Sequence, residues 1–138
     1  GSAPRPARAR PLFDRPLFIV AAPRTGSSLL FETLARHPQL WTIGGEAHAA
    51  IEGIAALSVA ARGHHSNALA FEDAAHGIDE AVRDAFAARL RDASGTPFPV
   101  DPQAAPRVVR FLEKTPKNAL RIPFLRAIFP DARFVFLH

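Results

Sequence analysis

The feature that most constrains the fold is a short apolar run that stops abruptly at a polar turn. Residues 17–22 read LFIVAA, a continuous run rich in residues that favour β-structure. Such a run predicts a strand buried on both faces, as in a parallel sheet. The turn PRTGSS covers residues 23–28, and residues 27–37 then show helical spacing, with Leu30 and Leu34 four apart. The segment therefore predicts a strand, a turn and a helix.

The rest of the chain continues to alternate between strand-like and helical patterns. Apolar residues at every fourth position predict a helix over residues 79–91. Residues 107–112 and 132–138 predict two further strands, and Pro123 marks the restart of the helix between them. The remaining predicted elements are an extended piece and a helix, at residues 40–45 and 46–61. This order predicts an α/β unit with a parallel sheet.

The composition restricts the classes of function. The 138 residues allow one domain, or a part of a larger one. The chain has no cysteine, which excludes a disulfide framework, a thiolate metal site and a cysteine nucleophile, and suits a reducing, cytoplasmic compartment. Its formal charge of +4 suits an anionic ligand but is too dispersed to indicate a nucleic-acid partner. No apolar run approaches the roughly 20 residues that span a bilayer, so we expect no membrane partner.

Two parts are expected along the chain. Residues 1–16 are predicted to be a flexible basic arm, in which Gly1 and Ser2 are interpreted as a cloning scar. Residues 17–138 are predicted to form the α/β domain. The proline-rich stretch at residues 93–106 is expected to be a surface connection within it.

The turn between the first strand and the first helix has the chemistry of an anion site. Successive backbone N–H groups and the helix N-terminus favour negative charge there, and Gly26 leaves room for a phosphate. Arg24 offers a permanent cation with several donors. Hydroxyl groups come from Thr25, Ser27 and Ser28. An ordinary strand-to-helix turn with a serine cap fits equally well, and neither the usual NTPase loop nor the dinucleotide fingerprint is present.

Three motifs in order carry a resemblance to a known family. FIVAAPRTGSSLL resembles the 5′-phosphosulfate-binding loop of the sulfotransferase family, with Arg24 in place of the lysine of the small-molecule enzymes, as in tyrosylprotein-type and many bacterial members. IGGEAH, residues 43–48, resembles the segment that supplies the catalytic carboxylate in tyrosylprotein-type enzymes. Residues 113–138 resemble the family's Lys-[Thr/Asp]-Pro helix and the strand after it.

The resemblance runs from about Leu17 to His138 and implies a fold. That fold is the N-terminal part of a P-loop-NTPase-like three-layer α/β structure with a central parallel sheet. In the family an Arg-Asp-Pro-Arg segment holds the donor's 3′-phosphate, and it would begin after His138. We therefore expect the chain to be truncated before the 3′-phosphate-binding segment.

The resemblance also implies a reaction and a donor. The family transfers a sulfuryl group from 3′-phosphoadenosine 5′-phosphosulfate to a hydroxyl or amine, releases adenosine 3′,5′-bisphosphate and requires no metal. Arg24 is expected to bind the 5′-phosphosulfate and to stabilise the leaving group. The cradle is expected to consist of Thr25, Gly26, Ser27 and Ser28. The expected partner is a small-molecule or carrier-bound acceptor, whose identity and whose binding residues the sequence leaves open, as it does the oligomeric state.

The expected catalytic residues lie in the other two motifs. Glu46 is the candidate general base, with His48 as the rival because its ordinary pKa suits proton transfer better. Lys114 is the candidate second cation, placed to contact the transferring sulfate. Each has a plainer interpretation: Glu46 as a helix N-terminal acid and Lys114 as an exposed lysine before a helix. Thr115 is interpreted as a helix cap, and Lys117 and Arg121 are interpreted as solvated helix charges. His64 and His65 are interpreted as part of a polar loop.

Two other functions remain open at this point. A phosphoryl-transfer, kinase-like enzyme with a degenerate phosphate loop would need Mg²⁺ and an aspartate that the sequence does not supply convincingly. A non-catalytic or incomplete sulfotransferase-like fragment would bind no donor. Mg²⁺-dependent nucleotide binding would favour the first of these alternatives, and absence of donor binding would favour the second.

Overall fold

The fold is a mixed α/β structure, described by a computed structural model for residues 10–21, 26–54, 57 and 68–137. The side chains of His48, Pro116 and Lys117 are outside this description. The strands are β1 (Leu12–Phe13), β2 (Leu17–Ala21), β3 (Leu40–Trp41), β4 (Val108–Lys114) and β5 (Arg133–Leu137). The helices are α1 (Ser27–Ala35), α2 (His48–Glu52), α3 (Ile78–Ala87) and α4 (Ile122–Ile128), with 3₁₀ turns at Phe71–Ala74 and Pro116–Leu120.

A parallel sheet forms the centre of the molecule. Its strand order is β1-β4-β2-β5, and β3 pairs with β4. In the register, Phe18 of β2 lies beside Glu113 on one side and Phe134 on the other. β2 is almost entirely buried because its apolar run has neighbouring strands along both edges. The predicted α/β class with a central parallel sheet is confirmed.

The carboxyl ends of β2 and β4 lie next to each other. The register pairs Ile19 with Lys114, the last residue of β4. The chain after β2 leads to α1, which begins at Ser27. Because ligand sites in parallel sheets form beyond the carboxyl ends of strands, this edge is where a site is expected.

Phenylalanine rings fill the centre of the core. The Phe111 ring centroid lies 5.2 Å from that of Phe86 and 5.4 Å from that of Phe13, and Phe18 and Phe129 belong to the same cluster. Phe111 is fully buried on β4. These rings join α3 and β1 to the strand that ends in the candidate site.

We expect Phe111→Ala to lower the free energy of unfolding by about 3–5 kcal/mol, because it removes a buried ring and leaves a cavity. Urea denaturation measures this change. The control is Leu29→Ala, whose side chain is 71% exposed on α1 and whose loss should change stability by no more than about 0.5 kcal/mol. Equal effects of the two substitutions would contradict this account of the core.

Several element boundaries differ from those expected. Leu12–Phe13, inside the predicted arm, form β1, a strand too short to show any alternation. α3 ends at Ala87 and β4 continues to Lys114, so the first is shorter and the second longer than predicted. α2 spans only His48–Glu52 and ends at Gly53, a poor helix former, and residues 55–56 and 58–61 lie outside the described residues.

Arg121 is not a solvated helix charge, so that prediction is wrong. Its side chain is 2% exposed, and its Nη2 donates to Glu52 Oε1 at 3.0 Å. The partner comes from α2, far away in the sequence, and a local pattern cannot reveal such a contact. His64 and His65 lie outside the described residues, and so does the side chain of Lys117. Within the described ranges no helix has the length and apolar character needed to cross a bilayer.

Candidate functional site

Lys114 joins three segments that are far apart in the sequence. Its Nζ lies 3.1 Å from Glu46 Oε1 and 3.2 Å from Ser28 Oγ. The lysine side chain is only 13% exposed, so Lys114 is not the exposed lysine of the plainer interpretation. The end of β4, the first turn of α1 and the segment before α2 therefore meet around one ammonium group.

The start of α1 is suited to binding an anion. Gly26 has φ 82° and ψ 12°, a left-handed conformation that favours glycine, and its carbonyl accepts the first helical hydrogen bond, from Leu30 N–H, at 3.1 Å. A Cβ at Gly26 would meet no heavy atom within 4 Å. Glycine is therefore favoured at this position by the backbone conformation and not by a lack of space inside the protein. No side chain caps the helix. The N–H groups of its first turn lack intrahelical acceptors and can point to a ligand.

The two serines of the turn differ in position. Ser27 is buried, with 6% of its surface exposed, whereas Ser28 is exposed and contacts Lys114. Arg24 and Thr25 lie outside the described residues, so their expected roles stay predictions.

Glu46 lies in a turn segment before α2. Gly44 has φ 76°, and its N–H donates to Thr42 Oγ1 at 3.1 Å, which shapes the turn. The Glu46 side chain is 38% exposed and reaches Lys114. His48 is the first residue of α2, but its side chain is not among those described. The choice of His48 as a rival base therefore stays a prediction.

An open cavity of about 300 Å³ adjoins these groups. Its lining consists of Ser28, Phe31, Glu32, Gly44, Gly45, Glu46 and Lys114. Two cavities of similar size, about 310 and 340 Å³, lie elsewhere, by β1 and beside Gln39, and contain none of the expected site residues. We place the candidate site in the cavity at Lys114 because it alone among these three combines the carboxyl ends of the strands with the motif residues. Among the described side chains, no three His, Asp or Glu are grouped so that they could hold a metal ion.

The sequence motifs gave no role to Glu113, a buried carboxyl group next to Lys114 on β4. Glu113 is fully buried, accepts a hydrogen bond from Asn118 Nδ2 at 2.6 Å and accepts another from the Thr115 hydroxyl. Burial raises its pKa from 4.5 to about 7, although hydrogen bonds from Thr115 and Asn118 lower it in part. The available signal was weak: Glu113 directly follows the apolar residues of a predicted strand in FLEK.

Thr115 does not cap the 3₁₀ turn that follows it, so the cap prediction is wrong. It occupies the position before that turn, but its side chain makes no capping hydrogen bond. Its Oγ1 instead accepts a hydrogen bond from Ala47 N–H at 2.6 Å and donates to Glu113. The hydroxyl thus has a buried donor and a buried acceptor as its partners instead of an N–H group of the turn.

The model of the sulfotransferase family matches residues 16–138. The chain belongs to the sulfotransferase family. A search of curated proteins found no match. The match supports sulfotransferase activity in general, and the matched region includes Ser28, Glu46 and Lys114.

Proposed function

We propose that this sulfotransferase takes a sulfuryl group from 3′-phosphoadenosine 5′-phosphosulfate and transfers it to a hydroxyl or amine of a small-molecule or carrier-bound acceptor. The observation that carries the proposal is the position of Lys114 Nζ, within 3.2 Å of both Ser28 Oγ and Glu46 Oε1. One cation thus touches both the turn suited to an anion and the carboxylate suited to accept a proton. This combination is what sulfuryl transfer requires.

The residues at the start of α1 fit the phosphosulfate end of such a donor. The donor supplies an activated sulfuryl group on a phosphate leaving group. Gly26, Ser27 and Ser28 would hold its anionic end with backbone N–H groups and a hydroxyl, next to the uncapped helix terminus. Arg24 and Thr25, assigned from the motif alone, would complete the cradle.

Lys114 and Glu46 have separate roles in the proposed reaction. Lys114 is largely shielded from water, so its charge acts on a nearby anion with little screening. It would stabilise the negative charge that develops on the group in transfer. Glu46 is open to the cavity, and its ionised carboxylate would accept the proton of the acceptor. The ion pair between them fixes the direction of the carboxylate.

Binding of adenosine 3′,5′-bisphosphate tests the proposal. We expect this nucleotide to raise the unfolding temperature, since a ligand at 100 times its Kd stabilises a protein by about 2.7 kcal/mol. Calorimetric titration without added metal should show one site, on this chain and on a version extended through the next strand and helix. Arg24→Ala should weaken binding at least tenfold in both.

The matched control is Arg36→Ala, which removes the same charge at the other end of α1 and should leave the affinity within threefold. Binding that appears only with Mg²⁺ would favour phosphoryl transfer. No binding by either version would leave the chain as a non-catalytic relative of the family.

A further inference from the structure

Two adjacent residues before α2 hold two adjacent residues at the end of β4. Glu46 Oε1 pairs with Lys114 Nζ at 3.1 Å, and Ala47 N–H donates to Thr115 Oγ1 at 2.6 Å. Successive side chains of an extended chain point to opposite sides, and Thr115 has φ −145° and ψ 120°. The segment that carries Glu46 is therefore held by two neighbouring residues at the carboxyl end of β4, whose side chains point in opposite directions.

The Thr115 hydroxyl is itself oriented by Glu113. A hydroxyl has one proton, and Thr115 gives it to Glu113 Oε1. Its lone pairs are then left for Ala47 N–H. Asn118 Nδ2 holds the other oxygen of Glu113 at 2.6 Å, so the carboxylate cannot rotate away. All four residues are fully buried, which excludes water as a substitute partner.

We infer that Thr115 and Glu113 are positioning residues that set the place of the Glu46 carboxylate through the Ala47 amide. The inference rests on the proposed role of Glu46 as the base. It assigns to both residues a function in the reaction although neither lines the cavity. A displacement of a reacting group by about 1 Å can reduce a rate about 10²-fold, so a hydrogen bond one residue away from the base can control turnover.

A purely structural role makes a different prediction. If the network only stabilised the fold, its loss would lower the free energy of unfolding without a specific effect on kcat. If it positions Glu46, its loss lowers kcat while the affinity for adenosine 3′,5′-bisphosphate, which does not involve the base, is retained. Measurement of both kcat and nucleotide affinity therefore distinguishes the positioning role from the structural role.

The test compares Thr115→Val, which keeps the shape but removes the hydroxyl, with Thr115→Ser, which restores it. Turnover is measured as adenosine 3′,5′-bisphosphate released from the sulfated donor with phenol as the probe acceptor, because a phenolic hydroxyl with a pKa of about 10 stays protonated near neutral pH and needs a base. We expect Thr115→Val to lower kcat by about 10- to 100-fold, with nucleotide affinity within threefold, and Thr115→Ser to recover most of the turnover. The control Thr96→Val removes an exposed hydroxyl that is not part of the network and should leave turnover unchanged.

The inference is overturned if the valine and serine variants have equal kcat, or if kcat falls only in proportion to the folded fraction. Should Thr115→Val fail to fold, Thr115→Ala, which also lacks the hydroxyl, takes its place in the same comparison. Amide exchange at Ala47, followed by NMR, provides a readout without turnover. Exchange should be at least tenfold faster in Thr115→Val than in Thr115→Ser, and equal rates overturn the link to Ala47. A wild-type chain that binds no nucleotide would instead disprove the proposed function.

Discussion

Lys114→Met is expected to lower the kcat of sulfuryl transfer by about 10²–10³-fold, the usual effect of removing one preorganised group that stabilises transition-state charge. Methionine retains much of the length of the side chain but loses the ammonium group that contacts Ser28 and Glu46. Because the charge acts mainly on the transferring group, the affinity for adenosine 3′,5′-bisphosphate, which lacks that group, should fall by less than tenfold. Donor turnover with phenol gives kcat, and calorimetry gives the affinity.

Arg107→Met is the control for Lys114→Met. It removes a cation at the other end of β4, where Arg107 is exposed, and should leave both quantities within twofold of the wild type. A kcat of Lys114→Met within threefold of the wild-type value would show that Lys114 is structural, and would remove the observation on which the proposed function depends.

Glu113→Gln is expected to remove a pH-dependent loss of stability. In the folded protein burial, with a smaller contribution from the nearby Glu46, raises the pKa of Glu113 from 4.5 to about 7, so the folded state binds this proton more tightly than the unfolded chain. The resulting contribution of Glu113 to the free energy of unfolding has its full value below about pH 4.5 and is lost as the pH rises through about 7. The loss amounts to about 3 kcal/mol, at about 1.4 kcal/mol per pKa unit.

Urea denaturation between pH 4.5 and 8.5 measures this effect. The free energy of unfolding of the wild type should fall with rising pH relative to that of Glu113→Gln. Glutamine keeps the size of the side chain but does not titrate, and its amide oxygen can accept the hydrogen bond from Thr115. The second bond is kept if the Asn118 amide turns so that its Oδ1 accepts from the glutamine NH2 group. Glu72→Gln, on an exposed surface, should follow the wild type at every pH. Parallel curves for the wild type and Glu113→Gln would show that the buried carboxyl does not titrate in this range.

The fold was largely predictable because its main elements have strong local patterns. The apolar run at residues 17–22 predicted a strand with neighbouring strands on both sides, and β2 has these neighbours. The fourfold spacing that begins at Ile78 predicted α3, which buries Val82 and Phe86. β1 could not be predicted, because two residues show no period and depend on pairing with β4.

The candidate site was predictable in its residues but not in its connections. The motifs placed Ser28, Glu46 and Lys114 at the ends of elements, but the pairing of β4 with both β2 and β3 brings them together. The network behind them escaped notice because Thr115 has the pattern of a helix cap and its partners come from other segments. Long-range hydrogen bonds of this kind have no periodic signature in a sequence.

The measurement that tests the central claim most directly is an NMR titration of the isotope-labelled chain with adenosine 3′,5′-bisphosphate. It reports where on the protein the nucleotide binds. The account predicts that the largest amide shifts occur at residues 26–28, at Gly44 to Ala47 and at Lys114, which line the candidate cavity or lie next to residues that line it. Shifts concentrated instead at the cavity by β1 that Arg10 and Arg83 line, or no shifts at saturating nucleotide, would contradict it.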